Sequence, residues 1–170
     1  MKDQERRRQS TFQRWIPIIG LIFILGFFGS MIWSGNEYSN AAIIAKQFEN
    51  SSINNSDLKV IDQTPETNKK YLEHQYLLGE NFYKNNDFAQ ALATYDLVLK
   101  NQKNTAYDLA NINFEAVKWN RILMIMGNED RIKTLEAIEK LVASDISEKY
   151  KTKALALKET LNSFWYGWAN

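Results

Sequence analysis

The chain contains no cysteine and a single histidine, His74, among its 170 residues. Without cysteine there are no disulfides, thiolate metal sites or cysteine nucleophiles. A lone histidine on a helix, between Glu73 and Gln75, reads as a surface or packing residue rather than a base or ligand. Also missing are a phosphate-cradling glycine motif, an H-E-x-x-H zinc site and a G-x-S-x-G nucleophile elbow. No catalytic signature stands in their place, so we read the chain as a non-enzyme with no cofactor, metal or evident small-molecule substrate.

Charge of one sign is lacking too, since the formal net charge is only +1. That value hides an asymmetry. Residues 1–33 hold five Lys/Arg against Asp3 and Glu5, whereas the remainder holds 16 against 18. A slightly acidic domain without a basic stripe has no counterion-releasing surface, which excludes nucleic acid as a partner. The length allows one modest domain beyond any membrane segment.

What the sequence does have is a long apolar run. Trp15 to Trp33 is 19 residues without a charged side chain. At about 1.5 Å per residue it spans roughly 28 Å, close to the hydrocarbon thickness of a bilayer. Both ends carry a Trp suited to the headgroup level, and Pro17 is expected in the first turn, where its missing N–H costs little. Lys2, Arg6, Arg7, Arg8 and Arg14 precede the run, and only Lys46 occurs in the 17 residues after it. The positive-inside rule then puts the N-terminus in the cytoplasm and the rest outside it. A cleaved signal peptide shares the basic start. Against it stand the length of the run, Trp33 where a small residue is expected, and no A-x-A-like site. Within the run Gly26 and Ser30, with Gly29 alongside, form a small-xxx-small face that suits either helix packing or plain lipid exposure.

The organisation that follows is a basic tail (1–14), a transmembrane helix (15–35), an amphipathic extension and polar linker (36–64) and a helical domain (65–170). The extension carries an apolar stripe of Ala41, Ile44, Ala45 and Phe48. Asn50–Thr64 is polar and aperiodic, and its two N-x-S/T sequons are read as chance matches in an Asn-rich loop. Thr64-Pro65-Glu66 starts a helix expected to reach residue 84. Asn85-Asn86-Asp87 breaks it. Phe88, Ala91, Leu92, Tyr95, Val98 and Leu99 then carry a second helix to about residue 100, packed back as a hairpin.

Leu78, Gly79, Phe82, Ala91 and Tyr95 stand at the spacing of the tetratricopeptide repeat, and residues 72–105 resemble one such unit. Gly79 and Ala91 would let the helices approach, while Phe82 and Tyr95 would fill the space between hairpins. Gln75, Val98 and Lys103 depart from the pattern. A degenerate second unit is expected from a long helix near 105–126 (Leu109, Ile112, Ala116, Trp119, Leu123, Met126) and a helix bearing Ile132, Leu135, Ile138 and Leu141. There Asn120 and Ile132 replace the small pair. A last helix from about Asp145 to Phe164, with Tyr150, Ala154, Leu157 and Leu161 inward, would cap the stack. Asp87, Asp130 and Asp145 are expected helix caps.

The layout resembles bacterial inner-membrane-anchored proteins with a short periplasmic tetratricopeptide-like domain, including the ancillary subunit of the Sec translocon. The resemblance implies an all-α fold: one transmembrane helix, then a solenoid of about five helices. It implies a plasma-membrane location with the domain periplasmic, and other membrane or periplasmic proteins and the lipid bilayer as partners. The function implied is an anchored protein–protein interaction module, an accessory or assembly subunit of a larger complex. The alternative is a chaperone-like module for translocating or unfolded polypeptides. Tyr76, Tyr83, Tyr107 and Trp119 are candidates for the concave peptide-binding face of that fold, or for packing between its helices. Phe164, Trp165, Tyr166 and Trp168 either seal the last hairpin, dock a partner or touch the bilayer.

Overall fold

The computed structural model describes residues 2–53, 69–128 and 130–170, with side chains from Trp15 onward. The described residues are all-helical, forming eight helices without strands. Helix α1 (Lys2–Tyr38) contains the charged tail and the apolar segment, and α2 (Asn40–Gln47) is a short continuation. The hairpin helices are α3 (Tyr71–Lys84), α4 (Phe88–Lys100), α5 (Phe114–Gly127), α6 (Arg131–Val142) and α7 (Glu148–Leu161), and α8 (Phe164–Ala169) follows them.

Within α1, Trp15–Tyr38 is long and apolar enough to cross a membrane, and its side chains stand open around the helix. Two details differ from expectation. The helix already begins at Lys2, so Pro17 is interior rather than in the first turn; a long apolar helix can absorb the one lost hydrogen bond. The helix also stops at Ser39, whose hydroxyl accepts from Ala42 N and starts α2 afresh. That break rotates the expected stripe. Ile43 and Ile44 are buried, while Ala41 and Ala45 are exposed. The helix start at Thr64-Pro65-Glu66 lies outside the described residues.

From α3 to α7 each helix packs on the next in sequence. The α3–α4 turn follows from its residues: Asn86 takes the left-handed conformation (φ 59°) that Asn tolerates, and Asp87 caps α4 by accepting from Gln90 N. Gly79 is where α3 meets α4. A Cβ there would lie 2.7 Å from both Thr94 Oγ1 and Tyr95 Cε1. Ala91, Tyr95 and Val98 are fully buried, and Phe82 and Leu78 partly so.

The second hairpin departs more. Helix α5 starts at Phe114, not near 105, because Asx residues claim the backbone before it. Asn104 Oδ1 accepts from Ala106 N, Asp108 Oδ1 from Ala110 N, and Asn113 Oδ1 caps α5 through Ala116 N. Ile132, expected inward, is 72% exposed, and α6 turns Thr134, Ile138 and Leu141 to the core instead. The inward face of α7 is as expected: Tyr150, Ala154, Leu157 and Leu161 are all buried. Asp130 caps α6, but Asp145 caps nothing. Helix α7 begins after Ser147, whose N–H and hydroxyl donate to Glu115 at 2.7 and 2.6 Å.

Candidate functional site

The chain leaves α2 at Phe48 in an extended conformation, and the segment from Gln47 to Ile53 lies against α3, α5 and α7. Trp119 Nε1 donates to Gln47 O at 2.8 Å. Asn120 makes two bonds to one residue: Glu49 N donates to its Oδ1 at 3.0 Å, and its Nδ2 donates to Glu49 O at 2.7 Å. Glu80 Oε1 accepts from Ser51 N. These contacts are to the backbone and hold an extended chain whatever its side chains.

Side chains are also read. The Phe48 ring stacks on Tyr83 at 3.8 Å between centroids, with 14° between planes. The Glu49 carboxylate pairs with Lys153 and, at 3.2 Å, with Lys149. Lys153 in turn sits over the rings of Trp119 and Tyr150. The hydrogen bond from Lys153 holds the Glu49 carboxyl below the usual range, with burial opposing it and Lys149 helping. Burial pushes the Glu80 carboxyl up, and the Ser51 N–H partly offsets this.

The four aromatics expected on a peptide-binding face therefore divide. Tyr83 and Trp119 do touch an extended segment, but it is the chain's own. Tyr76 belongs to the core, edge-on to Tyr95 at 5.9 Å, and burial raises its phenol well above the ordinary value. Tyr107 packs on Tyr71, 6.0 Å away, in the crossing between α4 and α5. Sequence reading missed Asn120, Glu80, Lys149 and Lys153. The available signal was at Asn120, a polar residue at a buried position where the repeat pattern puts glycine.

A second surface is open. Between α4, α5 and α6 lies a groove of about 420 Å³ with Leu99, Ile122, Ile125 and Leu141 along its floor. Lys118, Lys140 and Glu136 also line it, with Arg121 paired to Asp96 and Lys133 to Asp130. An apolar floor under a charged rim with two further lysines and one carboxylate suits an amphipathic segment.

The C-terminal aromatics turn back to the start of the chain. Trp165 meets Trp33 edge-on at 6.2 Å, and Trp168 meets Phe27 at 5.8 Å. Tyr166 is buried, its hydroxyl donating to Asn40 Oδ1 at 2.8 Å. Asn170 bridges the α1–α2 junction, donating to Tyr38 O at 2.8 Å and accepting from Asn40 N at 3.0 Å. Phe164 lies against Trp165 and Trp168, at 5.5 and 6.0 Å between ring centroids, and is 67% exposed. Helix α8 thus packs chiefly along α1, more than on the preceding hairpin. On α1, a Cβ at Gly26 or Gly29 would meet nothing within 4 Å, and Ser30 turns its hydroxyl to Phe27 O. Among the described residues, nothing packs against Gly26 or Gly29. No family model, curated protein or solved structure matches this chain.

Proposed function

We propose that the chain is a single-pass membrane protein whose helical domain is an extracytoplasmic protein-interaction module, an accessory or assembly subunit of a larger membrane complex. Anchoring favours α1 as the span, with the basic residues before it on the cytoplasmic side. In a bacterium this is the plasma membrane, with the domain in the periplasm. The tetratricopeptide-like reading of the stack draws support from sequential helix packing and from the tight approach at Gly79.

The observation that carries the interaction reading is the open, apolar-floored groove of α4, α5 and α6. The face lined by Trp119, Tyr83 and Asn120 is occupied by residues 47–53, whereas this groove is open among the described residues. Tethering at the membrane raises the effective concentration of such a module near its partner. Purification in mild detergent from native membranes tests the reading. The wild-type chain should bring down a membrane partner in fixed ratio, and Lys118→Glu with Lys140→Glu should lose it. Recovery of no stoichiometric partner by the wild type would refute the subunit role.

A chaperone-like module is the second reading, favoured by the backbone-directed bonds of Asn120, which are indifferent to sequence. Cross-linking to many unfolded clients, instead of one partner, would support it.

A further inference from the structure

We infer that α8 is a second membrane-contacting element, with Phe164, Trp165 and Trp168 set among the acyl chains and inner headgroups of the leaflet on the domain side. The inference rests on α1 being a span. Trp33 marks the domain-side end of the apolar run, and Phe27 lies six residues further in, about 9 Å along the helix. Trp168 touches Phe27 and Trp165 touches Trp33. Rings seated beside these residues share their depth.

Among the described residues, none covers the outer side of α8. Phe164, Trp165 and Trp168 are 67%, 36% and 44% exposed, and the adjoining α1 side chains Phe23, Phe28 and Ile32 are likewise open. The two helices present one continuous apolar surface, and lipid that surrounds α1 meets α8 without a boundary. Residues 161–170 contain no charged side chain, and Trp is the residue type that favours the interface.

A short helix enters this layer at lower cost where protein satisfies groups at its backbone ends, and α8 has one such group at each end. Ser163 Oγ accepts from Tyr166 N at 3.2 Å, and Asn170 N donates to Tyr166 O at 3.2 Å. The Asn170 side chain closes on Tyr38 and Asn40. On the other side of α8, a cavity of about 470 Å³ is lined by Asn40, Arg131, Ser163 and Asn170, a polar layer where headgroups begin. The helix separates an apolar side from a polar one, as a lipid interface requires. Its consequence is orientation, since a domain held by α1 and α8 together cannot swing freely on a single tether.

Because the chain is free of cysteine, single-cysteine spin labelling needs no background substitutions. The full-length chain is reconstituted in nanodiscs of phosphatidylethanolamine and phosphatidylglycerol. The label is placed at Phe164→Cys, on the open apolar side of α8. Phe23→Cys serves as the span reference and Leu155→Cys as the water reference. Circular dichroism checks that each variant folds. The label on α8 is expected to resemble Phe23→Cys in oxygen accessibility and to be several-fold less accessible to a water-soluble nickel chelate than Leu155→Cys. Nickel accessibility equal to Leu155→Cys, with Phe23→Cys still lipid-facing, overturns the inference alone. Shielding from both reagents also overturns it, because protein would then cover α8. A water-facing Phe23→Cys overturns the span reading, and the inference with it.

Discussion

Replacing Asn120 by alanine should release the segment from Gln47 to Ile53 while leaving the helical stack folded. Asn120 is fully buried and is the partner of both backbone groups of Glu49. Its removal orphans one N–H and one C=O, each costing about 1–3 kcal/mol when water cannot reach it. Glu49 is only half-buried, so water recovers part of this, and a net cost of about 2 kcal/mol for holding the segment closed is expected. That corresponds to roughly a 30-fold larger open population. Amide hydrogen exchange on the full chain in detergent micelles reads it directly. The amides of Glu49 and Ser51, which donate to Asn120 and Glu80, should exchange about 30-fold faster, and those of α4 and α5 much less so. Asn120→Asp keeps the acceptor for Glu49 N but sets an anionic oxygen against Glu49 O, so it should not rescue protection. Unchanged protection at Glu49 and Ser51 in Asn120→Ala, with a general loss of stability, would refute the reasoning and reduce Asn120 to a packing residue.

Gly79→Ala drives a Cβ to 2.7 Å from Thr94 Oγ1 and Tyr95 Cε1, an overpacking that costs about 1–3 kcal/mol against about 1 gained in helix propensity. The urea midpoint should fall. Asn86→Val puts a β-branched residue at φ 59° and should lose about 1–2 kcal/mol by the same assay, while Asn86→Gly stays close to wild type. Acidity gives a further test. Glu49 has its folded pKa depressed, so its stabilisation is present above the unfolded value near 4.5 and is lost as pH falls through the folded one. Glu80 has its folded pKa raised, so it favours folding below about 4.5 and costs stability as pH rises through the raised value. Glu80→Gln, which still accepts from Ser51 N, should stabilise the fold at neutral pH and remove the decline above 4.5; a denaturation series against pH measures both limbs.

Much of the helical framework was legible because it is written in neighbouring residues. The period of Ala91, Tyr95 and Val98, or of Tyr150, Ala154, Leu157 and Leu161, marks a buried face without reference to anything distant. Asp87 and Asp130 announced their helix starts for the same reason. Where the reading failed, two local signals competed. Leu109 and Ile112 continue the apolar period of α5, yet Asn104, Asp108 and Asn113 bond their own backbone and delay the helix to Phe114. Ile132 fits the α6 period and still faces solvent, since the face chosen depends on how α6 meets α5 and α7.

By itself the sequence determined an apolar helix long enough for a bilayer and a close helix pair at Gly79. Those properties come from composition, period and residue size, which act over a few turns. Tertiary structure alone decided that residues 47–53 occupy the face lined by Trp119 and Asn120, 71 and 72 residues away in sequence, and that Lys153 reaches Glu49 across 104. It also decided that the terminal aromatics return to α1, through bonds spanning 126 to 132 residues. Such pairings depend on the simultaneous placement of several helices, and no local pattern encodes which backbone a buried Asn will meet.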